Sequence, residues 1–336
     1  AGRPLQGVLV PNAQSADGAT RVPILVATTR ERSVRDPGEL FGSDRAPKVS
    51  YASINISIPP DSTRKVGEVQ WPLSLPGDPQ RDFVTVSAEY LGDQSFSSAL
   101  SAEAKQMRRS KVLVFVHGFN NRFDEAVYRL AQIAHDSNAP AIPVLFSWPS
   151  RGEVRLVAYA ADRESASSSR DALSQLLDTI SQNPNVTEIT VLAHSMGCQL
   201  TLEALRARAI RSGSVGGKIK NVLLVAPDVS IDEFPTDIQQ MGNKRPRVAL
   251  FVSQNDPALD ISRTISGGIQ RVGDINPDQE PYRSEFERLG IMVFDLSNLN
   301  GEAHSRAFED ITSVMGMIKQ RLAAGQQLAA SSNVSR

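Results

Sequence analysis

The stretch Ile189-Thr190-Val191-Leu192-Ala193-His194-Ser195-Met196-Gly197 decides the reading of this chain. Its apolar and β-branched start has the character of a strand buried on both faces of a parallel sheet. The strand ends in small-x-Ser-x-Gly, and a helix-forming stretch rich in Leu and Ala follows from Leu200. A serine between a buried strand and a helix, with small neighbours, is the setting of a nucleophile elbow. Small residues are needed because the turn brings backbones close and holds the serine in a strained conformation that exposes its hydroxyl. That hydroxyl then stands at a helix start, where amide N–H groups and the helix dipole favour developing negative charge. Ala193 stands where glycine is commoner and still permits close approach. Ser195 is therefore the expected nucleophile. His194 is expected to pack or hydrogen-bond locally, because adjacent residues of such a turn point in different directions, and Cys198 is expected to be a small buried helix residue.

Outward from this motif, short apolar runs alternate with stretches of helical period from about residue 110 onward, the pattern of βα units around a mostly parallel sheet with helices on both faces. Strands are expected at 112–116, 142–146, 189–192, 222–225, 248–252 and 291–294. Phe123, Val127, Leu130 and Ala134 form one helical stripe and Leu173, Leu176, Leu177 and Ile180 another. A further period over Phe308, Ile311, Met315, Ile318 and Leu322 predicts a terminal helix, after which Gln, Ala, Ser and Asn predict a disordered tail over 324–336. Residues 1–110 differ: strands at 24–28, 52–58 and 83–88 are joined by Pro/Gly-rich connections, which predicts an N-terminal, strand-rich antiparallel extension of the sheet. The expected organisation is this extension followed by a catalytic core over 111–323, with residues 257–290, longer than an ordinary connection, available as a cap.

The same chemistry needs two backbone N–H donors, one just after the nucleophile and one from the loop after an earlier strand. Lys111 to Val116 leads into His117-Gly118-Phe119-Asn120-Asn121. Phe119 and Met196 N–H are therefore the expected oxyanion donors, with Gly118 allowing the tight turn and His117 bracing the loop. The strand Val248 to Val252 leads to Ser253-Gln254-Asn255-Asp256-Pro257, so Asp256 is the preferred acid to orient a histidine. Asp228, which ends the preceding strand and otherwise caps its loop, is the competitor. His304, in the polar loop after the last strand, is the expected general base, and the chain order Ser, Asp, His is the order this fold requires. His135, near the end of a helix, reads as a surface residue.

Composition narrows the alternatives. Thirty-six Lys and Arg against 37 Asp and Glu leave a net charge of −1, so no charge surplus points to nucleic acid. No apolar run reaches the length of a membrane-spanning helix. One cysteine excludes an internal disulfide and a cysteine zinc cage, and the four dispersed histidines show no i, i+4 pair, so no metal site is expected. Nothing in the sequence specifies an oligomeric state. The start Ala1-Gly2-Arg3-Pro4 is compatible with a trimmed chain or a mature form. An envelope or secreted location is expected in the second case and a cytoplasmic one otherwise.

Taken together, His117-Gly118-Phe119-Asn120, Phe146-Ser147-Trp148-Pro149-Ser150, Ala193-His194-Ser195-Met196-Gly197, Ala226-Pro227-Asp228 and Ser253-Gln254-Asn255-Asp256 resemble the α/β-hydrolase superfamily, and more closely a bacterial esterase/lipase-like branch of formerly unknown function. The resemblance extends to Ala27-Thr28-Thr29-Arg30 and Ile58-Pro59-Pro60. It implies an α/β-hydrolase fold and hydrolysis of a small-molecule ester by a Ser-Asp-His triad without a cofactor. Members often carry export signals, in keeping with an envelope location. Trp148 is open to two readings, as acyl-pocket lining or as a structural aromatic. Amide or thioester hydrolysis by the same groups, or a binding protein that keeps the fold without turnover, are the competing functions.

Overall fold

A computed structural model describes residues 3–153, 155–254 and 257–297. Along them run β1 (Thr20–Arg32), β2 (Phe41–Ile58), β3 (Val84–Leu91), α1 (Ser95–Met107), β4 (Lys111–Val116), α2 (Phe123–Asp136), β5 (Ala141–Ser147), α3 (Leu156–Ser168), α4 (Arg170–Gln182), β6 (Glu188–His194), α5 (Met196–Ser212), β7 (Ile219–Val225), α6 (Phe234–Gln240), β8 (Arg247–Val252), α7 (Pro257–Ile265), α8 (Tyr282–Leu289) and β9 (Met292–Asp295).

The described strands form one sheet in the order β3-β2-β1-β5-β4-β6-β7-β8-β9. β1, β2 and β3 pair antiparallel, while β1 joins β5 in parallel and all pairs from β5 to β9 are parallel. This is the mostly parallel sheet with an antiparallel N-terminal extension that the apolar runs predict. β1 and β2 outrun their expected limits, because their distal ends continue as a more polar hairpin whose register shifts between Thr28 and Arg32.

Strand alternation divides the core. Val112, Val114 and Val116 of β4 pack into one apolar layer with α1, α4 and α5, whereas Leu113 and Phe115 pack into the other with α2. In α2 the stripe Phe123, Val127, Leu130 and its flanks are almost fully buried, each large side chain contributing about 1.5–3 kcal/mol of transfer free energy. The central strands accordingly read as continuous apolar runs, covered on both faces.

Helices α1 and α3 are not legible as stripes. In α1 only Phe96, Leu100 and Ala104 are buried, on a Ser-, Ala- and Glu-rich helix, and α3 buries Tyr159 and Asp162 beside small residues while Leu156 and Val157 stay exposed. The segment 257–290 contains α7, a 3-10 turn at Val272–Asp274 and α8. Its middle runs beside the loop after β7: Gly273 N donates to Pro227 O at 2.9 Å, Val272 N to Val229 O at 2.9 Å and Ile231 N to Gln270 O at 3.1 Å. The expected helix over 308–322 and the tail 324–336 lie outside the described residues.

Candidate active site

Ser195 occupies the junction of β6 and α5 with φ 52° and ψ −122°. A non-glycine residue with this backbone costs on the order of 1–3 kcal/mol and persists only where its surroundings enforce it. Here Ser195 N donates to Val225 O at 2.9 Å, while Ser195 O accepts from Cys198 N at 3.0 Å and from Asp228 N at 3.2 Å. Packing completes the constraint. A Cβ on Gly197 would lie 2.4 Å from His117 O and 2.8 Å from Val116 O, and one on Gly118 would lie 2.9 Å from Ser195 Cβ. Both glycines are thus required by close approach of the loop after β4 to the turn after β6. Met196 is the first residue of α5, so its N–H is one of the helix donors without an intrahelical acceptor.

The structure therefore brings Ser195, Met196 and the Gly118–Phe119 loop together. Cys198 is fully buried, its thiol near Val225 O at 3.7 Å, and burial pushes it well above the usual thiol range, as suits a packing residue. Asp256 and His304 lie outside the described residues. The strands that lead to them are neighbours, with Val252 of β8 paired in parallel with Asp295 of β9.

Asp228 is described, and it does more than cap a loop. Its side chain is 3% exposed; Oδ2 accepts from Tyr159 Oη at 2.6 Å, Oδ1 accepts from Ser262 Oγ, and Arg271 Nε stands 3.4 Å away. These partners come from α3, α7 and the segment beside the β7 loop. Desolvation, with the Asp228 charge second, pushes the Tyr159 hydroxyl well up, so it remains a donor at neutral pH. Tyr159 also packs edge-on against Phe119, ring centroids 5.3 Å apart.

The loop after β4 is braced from below. His117 is buried, stacks on Trp148 at 5.0 Å, and receives Trp148 Nε1–H on its carbonyl at 2.8 Å. Trp148 is fully buried among core residues, which makes it a structural aromatic. Burial, reinforced by the Arg30 charge and only partly opposed by the Gly118 and Trp148 backbones, lowers the His117 pKa to about 3. The ring is neutral at physiological pH and braces the loop as the sequence predicts. His135 sits at the end of α2 beside Asp61, 3.0 Å away.

Sequence reasoning assigned no role to two further buried groups here. Arg30 is 1% exposed and donates to Ser147 Oγ, Gly42 O, Ser150 O and Asn121 O. Asp162, fully buried, accepts from Ser150 Oγ at 2.6 Å and Arg151 N at 2.9 Å. Arg30 sits towards the distal end of β1, but its partners come from three separate segments, β2, the end of β5 with its following loop, and the loop after β4, so no local spacing could announce them. Among the described residues no group of three or more His, Cys, Asp or Glu could hold a metal ion, and no helix is long and apolar enough to cross a membrane.

No curated protein matches the chain in sequence. Solved structures similar to it include an esterase of Pyrobaculum calidifontis (12% identity, 65% of this chain and 77% of that one, TM-score 0.36). Esterases of Rhizomucor miehei (11%, 94% and 86%, TM-score 0.37) and carboxyl esterase 2 of Tuber melanosporum (11%, 92% and 90%, TM-score 0.38) are also similar. At these scores the likenesses carry no argument about chemistry. A family model matches residues 93–321, from α1 through the last described strand and beyond, and the chain belongs to that family, described as alpha/beta hydrolase of unknown function (DUF900).

Proposed function

We propose that the protein is a serine carboxylic-ester hydrolase that forms an acyl-enzyme on Ser195. The observation that carries this reading is the φ 52°, ψ −122° backbone of Ser195 at a strand-to-helix turn, wedged against a glycine of the loop after β4. Strain of this kind is retained where a hydroxyl must be presented to a substrate. In the proposed reaction Ser195 Oγ attacks the ester carbonyl as His304 takes its proton. Phe119 and Met196 N–H hold the oxyanion, His304 returns the proton to the leaving alcohol, and a water activated by His304 then hydrolyses the acyl-enzyme. Asp256 orients His304. Its assignment over Asp228 is supported by the existing partners of Asp228, since Tyr159, Ser262 and Arg271 already occupy that carboxylate.

A fluorophosphonate probe tests the reading, because only an activated hydroxyl attacks phosphorus readily. Wild type is expected to label at Ser195, and Ser195→Ala to remain unlabelled. Failure of the wild type to label, where a control hydrolase reacts, would favour a binding protein that keeps the fold. Chromogenic esters of graded acyl length, assayed beside a thioester and an anilide, would then define the acyl substrate.

A further inference from the structure

We propose that Arg30, on the antiparallel extension and outside the span matched by the family, is a positioning residue that aims the Phe119 N–H through Ser147 and His117. Its catalytic consequence rests on the hydrolase reading above; the geometry does not. Phe119 N–H shares a peptide plane with Gly118 C=O, and in a trans peptide the two point in opposite directions. Whatever grips that carbonyl therefore aims the N–H. Two side chains grip it, His117 Nδ1 at 2.9 Å and Asn121 Nδ2 at 3.2 Å.

A carbonyl oxygen only accepts, so His117 Nδ1 carries a hydrogen. The ring is neutral, its pKa held near 3 by burial and then by the Arg30 charge, so Nε2 is bare. Ser147 Oγ lies 2.9 Å from Nε2 and must donate its hydroxyl hydrogen there. Arg30 Nε, 2.8 Å from the same Oγ on its other side, is a donor that cannot accept that hydrogen. The donor-to-acceptor order along these contacts then runs from Arg30 to Ser147, to His117, to the Gly118 carbonyl, with the Trp148 backbone as the competing acceptor for the ring. The opposite tautomer would set a nitrogen lone pair against the carbonyl oxygen and leave Asn121 Nδ2 as its remaining side-chain donor.

Arg30 is itself immobilised by main-chain acceptors, Nη1 on Gly42 O at 2.9 Å and Ser150 O at 3.0 Å, and Nη2 on Asn121 O at 2.8 Å. A planar fork is needed to reach these acceptors together, which lysine does not supply. The extension thereby contributes to the site without touching substrate.

The test reads the His117 ring by 15N NMR, which separates a protonated from a bare ring nitrogen, alongside steady-state kinetics on a chromogenic ester. Wild type is expected to show hydrogen on Nδ1 throughout the neutral range. Arg30→Met and Ser147→Ala are expected to populate the other tautomer. They are also expected to lower kcat about 10- to 100-fold with KM little changed, a fraction of the effect of deleting an oxyanion donor. Should Arg30→Met fail to fold, Ser147→Ala, which removes a single oxygen, carries the test. Hydrogen on Nε2 in the wild type would overturn the proposal, as would a folded Ser147→Ala protein that keeps both tautomer and kcat. A purely structural role would lower Tm alone. The tautomer does not depend on turnover, so an inactive wild type with hydrogen on Nδ1 counts against the esterase reading and leaves the relay standing.

Discussion

The turn after β6 and the loop after β4 meet at Ser195, yet they are held by different means. The turn is held by shape: Gly197 and Gly118 leave no room for a Cβ, and main-chain bonds from Val225, Cys198 and Asp228 fix the strained serine. The loop is held by polar side chains, through Arg30, Ser147 and His117 and through Ser150, which accepts from Asn121 N and donates to Asp162. Steric confinement needs only the close approach of the two neighbouring strands, β4 and β7, and their loops. A hydrogen-bonded brace needs partners from several elements, each desolvated and each satisfied, so its failure modes are electrostatic.

The largest expected effect breaks the turn's chemistry while sparing its shape. Ser195→Ala should reduce ester turnover by about 10⁴-fold or more and abolish phosphonate labelling, with Tm close to wild type. Next comes the choice between carboxylates. Asp256→Asn is expected to lower kcat by up to about 10⁴-fold, since the base can then adopt the wrong tautomer. Asp228→Asn, by contrast, should cost no more than about tenfold in the folded fraction. It should instead lower stability in urea denaturation, by about 3 kcal/mol, because Arg271 would be left buried beside a neutral group. A folded, inert Asp228→Asn protein beside an active Asp256→Asn protein would reverse the assignment.

Gly197→Ala probes confinement directly. Its methyl would press on main-chain oxygens of Val116 and His117, and a loss of about 1–3 kcal/mol in urea denaturation is expected. An unchanged midpoint would mean that the loop after β4 yields and that shape does not hold the turn. The last effect concerns pH. His117 has a folded pKa near 3, below its unfolded value, so the unfolded chain binds the extra proton between about 6.5 and 3. The folded state should lose stability as pH falls through that window, by on the order of a few kcal/mol at its acid end. Asp237, raised to about 6 chiefly by desolvation, titrates in the opposite sense there, so the wild type must be compared with His117→Gln and not judged on its raw profile. His117→Gln should flatten the acid limb of Tm against pH; an unchanged limb would mean that the buried imidazole is not its source.

The amino-acid order by itself determined the parallel strands, because a strand buried on both faces must be apolar throughout, and it determined the elbow at Ser195, because strand, small residues and helix follow one another within a few positions. It also singled out His117 as a brace and Cys198 as packing. Tertiary structure alone decided the rest of the described site. That Asp228 is bound by Tyr159, Ser262 and Arg271, that Trp148 is buried in the core, and that Arg30 reaches the loop after β4 all depend on residues brought together from distant elements. Such contacts leave no periodicity or spacing in the chain. A buried polar group is tolerated only once the fold has supplied its partners, and which partners it finds is decided when the sheet closes its layers.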